Sequence, residues 1–190
     1  RLAECDVVDF TFACIGGVDA MQNCIDFVKL NPSKKAIVVT SDIAKYDLNS
    51  TGEYTQGAGS IAMLITSNPR ILYFSSAVGI ATEGVFDFFK PRQSFTKQEA
   101  LHFEKNIEWN GIVENEITLY KEQPVFDGQY SNQCYINRIC EAYKHYKSES
   151  NQDTKIYKNW SSLLMHLPYC FQGRRTFIEI FASENSELLE

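Results

Sequence analysis

Hydrophobic and polar positions along this chain switch between two periods, and the switches mark the elements. Residues 7–13, Val7-Val8-Asp9-Phe10-Thr11-Phe12-Ala13, form a nearly continuous apolar run that predicts a strand. Directly after Cys14-Ile15-Gly16-Gly17, apolar residues at Val18, Met21, Cys24, Ile25 and Val28 follow helical spacing and predict a buried helix over 18–30, stopped by Asn31-Pro32. Ala36-Ile37-Val38-Val39-Thr40 is a short β-branched run, predicting a strand covered on both faces and closed by Ser41-Asp42. Residues 46–56 are polar and turn-rich, and Gly57-Ala58-Gly59-Ser60 then opens a second apolar run over 61–65. Asn68-Pro69 gives a turn, and Ile71-Leu72-Tyr73-Phe74 predicts a third strand hairpinned to the second.

The pattern changes after Phe86-Asp87-Phe88-Phe89-Lys90-Pro91. Thr96-Lys97-Gln98-Glu99 has the form of a capping box, predicting an amphipathic helix to about Trp109 that Gly111 interrupts; residues 92–124 read as an insertion. Asp127-Gly128 is a turn, after which Tyr135, Ile136, Ile139, Cys140 and Tyr143 predict a long helix over 131–147, followed by a polar linker over 148–154. Trp160-Ser161-Ser162-Leu163-Leu164-Met165 leads into His166-Leu167-Pro168, and residues 169–182 can form another helix. The alternation of strands and helices predicts an α/β fold of layered sheet and helices.

Composition then narrows the class. A chain of 190 residues, 44% of them hydrophobic, can bury a sizeable core. The net charge is −6 with the basic residues dispersed, which favours neither nucleic acid nor an anionic membrane as partner. No run approaches the ~20 apolar residues of a membrane span, and the N-terminus does not read as a signal peptide, so a cytoplasmic location is expected. The six cysteines show no Cys-x-x-Cys pair, and most are expected to be buried small hydrophobes. The chain opens in mid-pattern without Met and closes in a polar run, as expected of a central fragment of a longer protein.

Cys14 is the candidate for chemistry, because a thiol at a strand-to-helix turn sits near backbone N–H groups and the positive end of a helix dipole, which favour thiolate. Neighbouring glycines let a carbonyl approach the backbone. Together these point to acyl transfer through a thioester. His102 and His145 lie in amphipathic helices and read as solvated; His166 ends an apolar segment before a proline, which suits either a cleft histidine paired with a thiol or a satisfied core histidine. No zinc-type spacing occurs, so no metal is expected. Gly57-Ala58-Gly59 lacks the spacing and the Lys of a phosphate loop and reads instead as a tight approach of strands. Asp42 and Asp87 would each need a hydrogen-bond partner if buried, and could serve structure or the site; Phe88 could be core.

Ala13-Cys14-Ile15-Gly16-Gly17 resembles the nucleophile motif of 3-hydroxy-3-methylglutaryl-CoA synthases, bacterial ones in particular. The same resemblance extends in order through Ser41-Asp42-Ile43-Ala44-Lys45-Tyr46, Asn49-Ser50, Thr55-Gln56-Gly57-Ala58-Gly59, Phe86-Asp87-Phe88-Phe89-Lys90-Pro91, Val125-Phe126-Asp127-Gly128 with Ser131, and His166-Leu167-Pro168-Tyr169. It implies the thiolase-like αβαβα fold, only part of it covered: residues 1–91 the latter part of a first half, 92–124 the insertion, 125–190 the start of a second half. It implies condensation of acetyl-CoA with acetoacetyl-CoA, and a role in isoprenoid supply through mevalonate. Cys14 would carry the acetyl group and His166 would polarise the acetoacetyl group. Thr55, Ser131, Tyr46 and Phe88 fall on substrate-contacting or pocket positions, Arg175 on a basic position for coenzyme A, and Asp42 and Asp87 on supporting acids. Coenzyme A thioesters are substrates, and no cofactor is implied. Phe171 departs from the lysine many members carry. The family's glutamate acid/base falls upstream of Arg1 and its asparagine and serine beyond Glu190, so this piece is expected to lack condensation activity. A homodimer is implied as well. The rival readings are a condensing enzyme of the same fold using carrier-protein acyl groups, and a non-catalytic truncated product.

Overall fold

Two antiparallel ribbons and three long helices carry the order among the described residues of the computed structural model, which are 4–96, 99, 116–121, 123–152 and 155–188. The chain divides into two units, Arg1–Ala44 with Gln56–Ser75, and Lys45–Thr55 with Ser76–Glu190.

In the first unit a single 3₁₀ turn, Ala13–Ile15, feeds helix α1, Gly16–Leu30. Asp19 near the start and Lys29 near the end suit the helix dipole. The helix stops at Asn31, whose backbone N–H and side-chain Nδ2 both donate to the Phe27 carbonyl at 3.0 Å. Strand β1, Ala36–Ala44, pairs antiparallel with β2, Gly57–Ile65, in a register from Ala36 opposite Ile65 to Ala44 opposite Gly57. Helix α1 packs on β1. Gly17 permits that approach: a Cβ there would stand 2.6 Å from Thr40 Cγ2.

Several expectations are corrected here. β1 is not covered on both faces; Ala36, Val38 and Thr40 turn inward while Ile37 and Val39 are exposed, the period of a half-covered strand. Helix α1 is not a buried helix: Gly16 and Val28 are its buried positions and the others are half-buried or exposed. Gly57 and Gly59 meet nothing within 4 Å of a built Cβ, so they mark open ribbon, not a tight approach. Residues 7–12 and 71–74 are irregular, because a strand exists through its ladder and neither segment has one among the described residues. Cys5, Cys14 and Cys170 are exposed and Cys24, Cys134 and Cys140 half-buried, instead of mostly buried.

In the second unit β3, Arg92–Thr96, pairs antiparallel with β4, Glu116–Tyr120. The predicted capping box is formed at its end: Thr96 N–H donates to Glu99 Oε2 at 2.8 Å and Glu99 N–H to Thr96 Oγ1 at 3.2 Å. The bonds that Thr96 N–H and Thr96 Oγ1 donate to its carboxylate hold the Glu99 carboxyl below its usual range. The helix foreseen beyond it, with His102, Trp109 and Gly111, lies outside the described residues. Helix α2, Gly128–Glu149, starts three residues earlier than expected because Asp127 is a cap rather than a turn residue, accepting from Gln129 and Tyr130 N–H. Helix α3, Gln172–Glu184, packs against α2.

Their shared core is Tyr143, Ile156 and Ile180, walled by Ile139, Cys140, Tyr146 and Trp160. Ile156 enters it from the 3₁₀ turn Ile156–Asn159, and Trp160 meets Tyr143 edge-on at 6.1 Å. Lys147 and Glu184 pair across the two helices. His145 is exposed as predicted, yet it also fixes the chain: its Nδ1 accepts from Ile80 N–H at 2.9 Å. One residue earlier, Gly79 lies so close to α2 that a Cβ would stand 2.0 Å from the Ala142 carbonyl oxygen.

Candidate functional site

Cys14 is central in the 3₁₀ turn and exposed. The turn is tied by Gly16 N–H donating to the Phe12 carbonyl at 3.0 Å. Ala13 has φ 41°, a left-handed conformation costly for a residue with a Cβ. Such strain persists where surrounding structure enforces it, and here it immediately precedes the candidate nucleophile. The turn sets the thiol two residues ahead of the first residue of α1, toward the positive end of that helix. Asp42 lies within β1, opposite Gly59, is exposed, and accepts from Ile43 N–H at 2.9 Å. These two candidates belong to the first unit.

The other seven belong to the second. Tyr46 and Thr55 bracket the loop of residues 45–55 and both are half-buried. The Tyr46 ring lies over Gly52, where a Cβ would stand 2.1 Å from Cδ1. The Gly52 carbonyl accepts from Thr55 Oγ1 at 2.7 Å and from Thr55 N–H at 2.9 Å. One glycine therefore supports both ends of the loop, free of a side chain on one face and accepting twice on the other.

Asp87, Phe88 and Ser131 are brought together by residues 121 and 123–127, a strap beside residues 86–91. Phe89 and Val125 form an antiparallel bridge, and Lys121 N–H donates to the Pro91 carbonyl at 3.1 Å. Half-buried Asp87 accepts from Asp127 N–H at 2.9 Å, so one carboxylate holds the residue that caps α2. Phe88 and Phe126 pair with ring centroids 5.3 Å apart. Phe88 has φ 51°, a genuine outlier for an aromatic residue. Ser131 sits one turn into α2, its N–H on the Asp127 carbonyl at 2.8 Å.

His166 is exposed on an irregular segment between the helices. Its carbonyl accepts from the Tyr135 hydroxyl at 2.5 Å, and burial pushes the Tyr135 phenol up, so it remains a donor at neutral pH. Flanking Met165 and Leu167 seat against Gly173 in α3, where a Cβ would come within 2.8 Å of Leu167 Cδ2. Arg175 donates to Tyr169 Oη at 2.7 Å and stacks over that ring at 5.7 Å. Phe171 precedes α3 as an exposed residue with no side-chain cap bond.

Tyr135, Gln123 and the backbone of Phe88 were not singled out from sequence as parts of the site. Tyr135 was visible only as an apolar helix position; the partners of Gln123 lie 76 residues away and carry no local signal. Among the described residues no cluster of His, Cys, Asp or Glu could hold a metal, and no helix is long and apolar enough to cross a membrane.

Comparison with known proteins gives a consistent result. Residues 2–70 match the family model for the N-terminal part of hydroxymethylglutaryl-coenzyme A synthase, and residues 116–186 the model for its C-terminal part. The hydroxymethylglutaryl-CoA synthase of Enterococcus faecalis is 31% identical over 166 residues, covering 87% of this chain and 36% of that protein. A crystal structure of an HMG-CoA synthase complexed with CoA superposes with a TM-score of 0.66 at 26% identity, over 86% of this chain and 34% of that one. The curacin-pathway HMG synthase in complex with an acetyl donor carrier protein superposes at 0.70 with 18% identity, over 93% and 37%, a likeness of fold. The chain thus spans about a third of the length of the relatives it matches.

Proposed function

The chain belongs to the hydroxymethylglutaryl-CoA synthase family, with its part of the thiolase-like fold, and from that premise we propose that its protein joins acetyl-CoA to acetoacetyl-CoA through an acetyl thioester on Cys14. The observation that carries the reading is the paired match, N-terminal and C-terminal models in their proper order on one chain.

In the first step Cys14 Sγ attacks the acetyl carbonyl, the bond from that carbon to the coenzyme A sulfur breaks, and coenzyme A leaves as the thiol with the proton Cys14 gave up. The exposed turn ahead of α1 suits this step, because it leaves Cys14 Sγ open to an incoming thioester. The acetyl methyl then loses a proton to a base and its carbon attacks the acetoacetyl ketone, whose oxygen takes up a proton. His166, exposed and held through its backbone, would polarise that ketone. Water finally splits the thioester, releasing HMG-CoA and free Cys14. Thr55, Tyr46, Ser131 and Phe88 would contact substrate, Asp42 and Asp87 would support the site, and Arg175 would meet coenzyme A. Family resemblance puts the base ahead of residue 1, so the condensation is assigned to the whole protein. The homodimer and the place in mevalonate formation stand on the same resemblance.

Coenzyme A is preferred over a carrier protein as acyl donor because an acidic chain, net −6, suits docking of an acidic carrier poorly. Intact-protein mass after incubation of the whole protein with acetyl-CoA tests the reading. An acetyl adduct that Cys14→Ser removes is the expected result; no adduct on the wild type overturns it.

A further inference from the structure

The strap of residues 121 and 123–127 touches more than the segment beside it. Gln123 Oε1 accepts from the backbone N–H of Asp47 at 2.6 Å, and Lys121 Nζ stands 3.9 Å from Asp47 Oδ2. Asp47 directly follows Tyr46. The loop carrying Tyr46 and Thr55 is therefore anchored by a side chain at the foot of the β3–β4 ribbon, whose first strand lies between the two family-model matches. The same strap bridges Phe89 and presents Asp127 to Asp87, so the loop and the Phe86–Pro91 motif are registered against one length of backbone.

We propose that Gln123 is a positioning residue for the acyl donor: it sets the loop of residues 45–55 so that Tyr46 and Thr55 meet the donor in the correct register. This rests on the proposed function, which makes those two residues substrate contacts. A backbone N–H held by a side chain depends on which residue occupies position 123, unlike a ladder bond, which any residue makes. Gln123 is half-buried while Asp47 is exposed, so the bond is open to water from the loop side and its worth rests on its short, specific geometry. The Lys121–Asp47 pair is exposed on both sides and contributes much less. Within the loop, Tyr46 packs on Gly52 and Gly52 holds Thr55, so an error at Asp47 propagates to both contacts.

The test measures Cys14 acetylation rate against acetyl-CoA concentration in the whole protein, for wild type, Gln123→Ala and Gln123→Glu, with hydrogen exchange at the Asp47 amide. Gln123→Ala is expected to raise the half-saturating concentration about fivefold to tenfold, the net worth of one hydrogen bond, with the plateau rate unchanged. Its Asp47 amide exchanges faster. Gln123→Glu keeps an acceptor oxygen and restores both readouts. Wild-type half-saturation in Gln123→Ala overturns the inference, as does equal impairment in Gln123→Glu, which would signify general packing. A wild type that takes no acetyl group at Cys14 overturns the proposed function and this inference together; normal acetylation with an unmoved Gln123→Ala overturns the inference alone.

Discussion

Gly17 and Thr40 show how a single hydrogen in place of a methyl sets the distance between helix and strand. In Gly17→Ala the new Cβ would meet Thr40 Cγ2 at 2.6 Å, and a β-branched side chain in a strand has few other rotamers to retreat into. The substitution should cost about 1–3 kcal/mol by overpacking. On a Thr40→Ala background the obstruction is gone, and the better helix propensity of alanine should turn the same change neutral or stabilising by up to about 1 kcal/mol. Urea unfolding of the four proteins of this cycle checks it; additive effects would show that the contact is not made. At this scale Cys14 and His166 stand out in the sequence by residue type and neighbours, and the exposure of both is what the structure adds. Left-handed backbone at Ala13 and Phe88 was not, because neither residue type announces it.

Among the elements, α2 shows most directly how one residue orders several others. Asp127 receives two N–H groups of the first turn through its side chain and gives its own N–H to Asp87. Asp127→Ala removes the first pair and leaves the second, since that bond is made by backbone. A loss of about 1 kcal/mol is expected, with Asp127→Asn close to wild type because its side-chain oxygen still caps. Denaturant midpoints at constant m-value report it; equal losses in both variants would remove the cap from the account. The helices were legible because their periodicity is internal to each segment. Ile71-Leu72-Tyr73-Phe74 was misread because the same apolar run can be a strand only beside a partner, which local sequence does not supply. The strap was illegible for a related reason: its contacts to Asp47 and Asp87 join positions 76 and 40 residues apart.

At the scale of the whole chain, thiol chemistry tests the packing of both units at once. Cys5, Cys14 and Cys170 are exposed, whereas burial pushes the Cys24 and Cys140 thiols up and lowers their thiolate fraction. A brief iodoacetamide pulse near neutral pH should label the first three well ahead of the other two, read by peptide mapping. Equal labelling of Cys24 or Cys140 would contradict the packing of α1 or α2. Family membership was the most legible property of all, since ordered motifs spread over the chain survive local errors in strand assignment. The β1–β2 ribbon was legible in place and length but not in coverage. Its outward row of Ile37, Val39 and Leu64 is apolar, and neither outer edge is paired among the described residues. Bare edges of that kind template sheet growth between molecules. The same half-covered strand that defeats a reading of fold from hydrophobicity thus predicts self-association of this length of chain in isolation, seen as light scattering that climbs with concentration while the helical signal holds.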